Sequence, residues 1–135
     1  MNTQSEIHIA AAIITDADGR CLLVRKRGTP YFMQPGGKQE AGELPEMALM
    51  RELQEELNFI VSPEDLVKVG HFRDRAANEP GHLVCAEIFA ISTEKTDFVP
   101  TAEIEEVIWY QPDQPQHLKL APLTENHLLP LLKSR

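Results

Sequence analysis

The chain has 135 residues, 42% hydrophobic and 25% charged, a length and mixture suited to one globular domain with its own core rather than to a disordered segment. Its formal net charge of −8 argues against sequence-independent binding to nucleic acid, whose phosphate backbone requires a basic face, although a cation held in a pocket would still admit a small phosphate ligand. No apolar run approaches a membrane span and the polar start at residues 1–6 has no basic-then-apolar layout, so a cytoplasmic protein with no membrane partner is expected.

Ile7 to Ile14 forms an apolar run bounded by Asp16-Ala17-Asp18-Gly19, and Arg20 to Val24 resumes the pattern. Two strands joined by a turn at Asp18-Gly19 are predicted, both lying inside a covered sheet because they are apolar on both faces. Cys21 and Cys85 fall inside such strand-like segments and read as buried reduced thiols. The second strand leaves through Arg25-Lys26-Arg27, where alternation puts Arg25 and Arg27 on one face and Lys26 on the other. Gly28-Thr29-Pro30 breaks the chain, and Tyr31-Phe32-Met33 is a short strand entering the turn Pro35-Gly36-Gly37.

A helix follows. At helical spacing Met47, Met50, Leu53 and Leu57 form its back, and Glu52, Glu55 and Glu56 its front. Six carboxylates crowd the stretch from Glu40 to Glu56 against only Lys38 and Arg51, an arrangement that a hard divalent cation would relieve. Asn58, which tolerates the left-handed conformation, is expected to end the helix. Further on, Ser62-Pro63-Glu64 reads as a turn, Leu66 to Phe72 as a strand, Arg75 to Gly81 as a loop, and His82 to Ile91 as a long strand. Glu87 interrupts that strand and faces either solvent or a site. Residues 93–101 read as loop and Val107 to Tyr110 as the last strand. Prolines 112, 115 and 122 keep the next segment irregular, and Thr124 caps a closing helix of Glu125 to Lys133. The five histidines show no metal-ligand spacing.

The stretch from Gly37 to Phe59 carries a fixed pattern: Gly37, five residues, Glu43, seven residues, Arg51-Glu52, an aliphatic residue, one more, then Glu55-Glu56. It resembles the Nudix box, the signature of the Nudix hydrolases that include the MutT-type enzymes, with one departure, Asn58 in place of glycine. The resemblance implies an α/β fold, the Nudix fold with a mixed β-sheet sandwiched between α-helices, as a single domain over 1–135 with its box at 37–59. It also implies that the Gly36 carbonyl with Glu52, Glu55 and Glu56 holds Mg2+ or Mn2+, that Arg51 orients the glutamates, and that Glu43 braces the loop. Oxygen-only ligands agree with that choice of cation. Water attack on a diphosphate would use Glu52 as base or a glutamate from a later loop, with Glu103 the first choice ahead of Glu105 and Glu106.

Arg25, Lys26 and Arg27, with Gly37 and Lys38, are the candidates for binding substrate phosphate, and Tyr31, Phe32 or Trp109 for stacking a base. The expected reaction is metal-dependent hydrolysis of a diphosphate linkage in a small nucleotide, a nucleoside triphosphate going to monophosphate and pyrophosphate. An ADP-sugar or other nucleoside-diphosphate derivative is the alternative substrate, and a non-catalytic nucleotide-binding module the alternative class. The family often forms homodimers, for which the proline-rich tail is a candidate surface.

Overall fold

The computed structural model describes residues 5–114 and 116–132; Pro115 and Lys133, named above, lie outside them. Strand β1 (Ser5–Thr15) runs parallel to β6 (His82–Ser92) in unbroken register from Ser5↔His82 to Thr15↔Ser92. Their apolar residues are buried on both faces, as a strand centred in a covered sheet requires. Antiparallel β5 (Val67–Arg75) adds to the far side of β6, and short β4 (Gly36–Lys38) pairs with β1. Strand β2 (Cys21–Lys26) meets β1 only at Thr15↔Cys21, then pairs with β3 (Phe32–Met33) and β7 (Ile104–Tyr110). Among the described residues the seven strands make one mixed sheet.

The expected turn between β1 and β2 is present. Asp16 Oδ1 accepts the amides of Asp18 and Arg20 at 3.0 and 2.8 Å, and Gly19 takes a positive φ of 80° that only glycine adopts at little cost. Helix α1 (Pro45–Leu57) opens on a proline whose missing N–H would find no intrahelical partner in any case. It closes at Asn58, in the left-handed conformation, whose amide donates to Gln54 O while that of Phe59 donates to Leu53 O.

Helix α1 lies on Ala10, Ala12, Ile14, Phe89 and Ile91; the opposite face, carrying Ala11, Ile13, Ala86 and Ile88, is covered by Leu123 and Leu128. The sheet is thus sandwiched as expected. Cys21 and Cys85 are buried free thiols, and burial pushes the Cys21 pKa up to about 12.

Three expectations change. The strand expected to end at Phe72 continues to Arg75, and β7 begins at Ile104, earlier than Val107, because Glu105 and Glu106 find partners in Arg27 and Arg25 across the β2–β7 pair. The closing helix is π-helical over Thr124–Leu128 and 3-10 over Leu129–Leu132. Pro130 has no N–H to donate and its ring crowds the carbonyl four residues back, so a regular α-helix is not available here. Thr124 is not its cap: it is buried, and its hydroxyl donates to Gln34 Oε1 at 2.7 Å.

Candidate functional site

The face that α1 turns to the sheet is set by the ridge Leu49, Leu53 and Leu57, all buried. At about 100° per residue, Glu56 falls about 20° from Leu49, Glu52 about 60° and Glu55 about 120° away, while Met47 falls on the far side. Burial follows that order. Glu56 is 1% exposed, the Glu52 side chain 13% and that of Glu55 53%. Met47, expected on the back, is exposed, and Glu56, expected on the front, is inside.

Burial makes Glu56 expensive to ionise. Loss of hydration, then repulsion from Glu52, raise its pKa to about 8, and burial also raises that of Glu52. One oxygen of Glu56 accepts the Gly36 amide at 3.2 Å, and the other is buried with no partner among the described residues. An orphaned buried carboxylate oxygen calls for a cation.

Glu103 arrives from another part of the chain. The last carbonyls of α1 have no partners within the helix, and Thr101 supplies them: its amide donates to Glu56 O at 2.9 Å and its hydroxyl to Glu55 O. That pins the loop before β7 and brings a carboxylate oxygen of Glu103 within 4.8 Å of those of Glu52 and Glu56. Glu55 is not one of this trio; it lies out toward solvent, 3.7 Å from Arg51 Nη1. Oxygen donors alone, one of them orphaned, fit magnesium or manganese better than zinc.

Arg51 holds this arrangement from behind. It grips Glu43 through Nε and Nη2 at 3.0 and 2.9 Å, reaches Glu52 through Nη1 at 2.9 Å, and donates to Lys38 O at 3.1 Å. The forked contact with Arg51, helped by the Glu40 amide, lowers the Glu43 pKa to about 2, and Glu43 in turn raises that of Arg51. Glycine at 37 is a matter of space: a Cβ there would lie 2.4 Å from Glu52 Cδ. At Gly36, with φ of 148°, a Cβ would meet Ala10 O at 2.2 Å.

A cavity opens beside β4 on the sheet face opposite α1, with Gly36, Gly37 and Lys38 on its rim. Strand β2 ends at Lys26 with a shift of register between Arg25 and Lys26, so simple alternation does not carry on to Arg27, and the side chain that borders this cavity is Lys26, which also pairs with Glu103 at 3.5 Å. Arg25 and Arg27 are instead engaged by Glu106 and Glu105, at 3.1 and 3.2 Å. Lys38 pairs with Glu79 across the rim at 3.5 Å. Of its two expected settings Glu87 takes the solvent-facing one: it does not border the cavity, and its partly exposed carboxylate lies 3.0 Å from His71 Nδ1. Tyr31 does not border the cavity, Phe32 packs with Cys21 and Leu23, and Trp109 packs against Phe98. A second group, Glu6, His8 and Cys85, also has its ligand atoms within 4.8 Å, but Glu6 there is taken up by Arg73.

Lys26 was expected beside Arg25 and Arg27 at the end of β2, and alternation alone does not say which of the three meets a site. One residue was missed from the sequence: Gln34, a polar residue between Met33 and Pro35, is buried in the cavity wall.

Residues 7–132 match the NUDIX domain model. The chain is 41% identical over 64 residues to an 8-oxo-dGTP diphosphatase of Haemophilus influenzae, an alignment covering 44% of this chain and 47% of that protein. It is 34% identical over 83 residues to an ADP-ribose pyrophosphatase of Methanocaldococcus jannaschii, covering 58% and 48%. The matched part thus spans about half the length of these two relatives. A MutT NUDIX hydrolase from Burkholderia pseudomallei superposes with a TM-score of 0.71 at 22% identity, over 96% of both chains, a likeness of fold. Among the described residues no helix is long and apolar enough to cross a membrane.

Proposed function

This chain belongs to the NUDIX domain family, and from that premise we propose that it is a divalent-cation-dependent pyrophosphohydrolase cleaving a nucleoside triphosphate to monophosphate and pyrophosphate. The observation that carries the reading is the orphaned oxygen of buried Glu56, gathered with Glu52 and Glu103 beside the Gly36–Lys38 strand. Glu52, Glu56 and Glu103 are the ligands we assign to Mg2+ or Mn2+, with Glu55 and the Gly36 carbonyl completing the set that the family resemblance implies. When bound, the cation neutralises diphosphate oxygens and makes a coordinated water more acidic.

The protein's own groups do the rest. Arg51, anchored by Glu43, holds Glu52 in one rotamer, so its carboxylate is positioned before substrate arrives. Lys26 and Lys38, which line the cavity with Gly36 and Gly37, supply positive charge for the phosphate oxygens. Glu103 is the most exposed of the trio, and we assign it the proton released by the attacking water, which it passes to solvent.

Similarity to the ADP-ribose pyrophosphatase supports ADP-ribose as the second substrate to test. A binding module without catalysis would have no use for a carboxylate kept in so costly a setting as Glu56. The test is incubation of the purified chain with Mg2+ and a panel of nucleoside triphosphates and ADP-ribose, with mass spectrometry of both products. Monophosphate and pyrophosphate are expected from a triphosphate; no turnover of any diphosphate would overturn the reading.

A further inference from the structure

The cavity beside β4 is lined by Ile7, Ile9 and Ala11 from β1 and Val84 from β6, an apolar slot. Gln34 and Thr124 stand in its wall. Gln34 is 6% exposed, and Thr124 donates its hydroxyl to Gln34 Oε1 at 2.7 Å. That bond fixes the amide plane, and the amide's other end, Nε2, is buried with no acceptor among the described residues. A buried amide donor without a partner is costly, and an apolar slot is the place where a flat ring would be held by its faces.

Resting on the nucleotide-hydrolase reading, we propose that Gln34 is the residue that selects the base: its Nε2 donates to the carbonyl oxygen at purine C6 or pyrimidine C4 of a nucleobase lying in this slot, so that bases with a keto group at that position are taken ahead of those with an amino group there. A free glutamine reads adenine well, because oxygen and nitrogen together match an amino group and a ring nitrogen. Here Thr124 already occupies Oε1, and what remains is a donor. Guanine O6 or uracil O4 satisfies it; the amino group of adenine or cytosine sets donor against donor and leaves Nε2 unpaired. Such mismatches are worth roughly 10- to 100-fold per contact. Lys26, which lines the cavity and pairs with Glu103 at 3.5 Å, links this slot to the carboxylates and would meet the phosphate chain there.

The test compares GTP and UTP with ATP and CTP, using Mg2+ and wild-type, Gln34→Met, Gln34→Glu and Thr124→Val chains. The wild type is expected to favour the keto pair roughly 10- to 100-fold in kcat/KM, most of it in KM. Gln34→Met should abolish that preference, and Gln34→Glu, assayed at a pH high enough to ionise the new carboxyl so that it can only accept, should reverse it. Thr124→Val, which leaves the amide unanchored, should weaken it with a smaller change. A parallel arm measures binding of GMP, UMP, AMP and CMP by calorimetry and needs no turnover. Keto monophosphates bound through Gln34 with no hydrolysis of any triphosphate would overturn the hydrolase reading and keep this inference. Hydrolysis with a base preference that Gln34→Met leaves intact would do the reverse. Absence of monophosphate binding, or a wild-type preference for the amino pair, would also overturn it; thermal melts identify any variant that is not folded, in which case Gln34→Glu and Thr124→Val decide.

Discussion

On the α1 side of β4, Glu52 and Glu56 come from one helix, one turn apart, and face a glycine that leaves room for them. On the other side, Gln34 and Thr124 are 90 positions apart in sequence and meet only because the closing helical segment folds across the sheet. The first region is made of charge that resists burial and needs a counter-ion. The second is an apolar slot with one polar pair. They differ in how a defect spreads: charge in the first is shared among Arg51, Glu43, Glu52 and Glu56, whereas the second depends on a single amide.

The largest effect expected is at the shared charge. Glu52→Gln should lower kcat/KM on the order of 10³-fold, because it removes a ligand whose charge acts in the transition state. Near-wild-type turnover, read as pyrophosphate release, would sink the assignment of Glu52. One shell out, Glu43→Gln or Arg51→Met should weaken cation affinity by roughly 10- to 100-fold, measured by Mn2+ titration, since both act by orienting Glu52. An effect of either variant confined to stability would separate the brace from the site.

Smaller again is the pH dependence of stability without metal. Glu56 has its ordinary carboxyl value near 4.5 when unfolded and about 8 when folded, so between those pH values the folded state holds a proton that the unfolded state has lost. The stability this group gives is therefore complete below about 4.5 and is lost as pH rises through about 8. Melting temperature in a chelator should fall across that window, and added Mg2+ should raise it more at pH 8 than at pH 5. A flat or rising profile in the chelator would contradict the burial of an unneutralised Glu56. The smallest effect belongs outside both regions: Asn58→Gly, at a left-handed cap that both residues adopt, should change unfolding free energy by less than about 1 kcal/mol in a denaturant melt.

Legibility in the sequence followed the range of the interactions. The box could be read because its members lie on one helix and the turn before it, where fixed offsets translate into geometry. The same offsets did not say which ridge of α1 meets the sheet. Leu49, Leu53 and Leu57 and a ridge through Met47 and Met50 are both helical, and the choice between them carried Glu56 into the interior and Met47 out. Arg25 and Arg27 were placed by alternation on a common face, but which face meets the site depends on β7, whose glutamates occupy the arginines and leave Lys26 for the cavity.

What the sequence determined by itself was the local part: strands apolar on both faces, a helix ended at Asn58, and a crowd of carboxylates at spacings that a divalent cation would relieve. Tertiary structure alone decided how Glu103, expected from a later loop, is brought through Thr101 to Glu52 and Glu56, that Glu56 rather than Glu55 is the buried member, and that Thr124 fixes the Gln34 amide. The reason is physical: a helix or turn constrains neighbours through bonds a few residues long, whereas burial and long-range pairing are set by which surfaces close on each other when the sheet is covered.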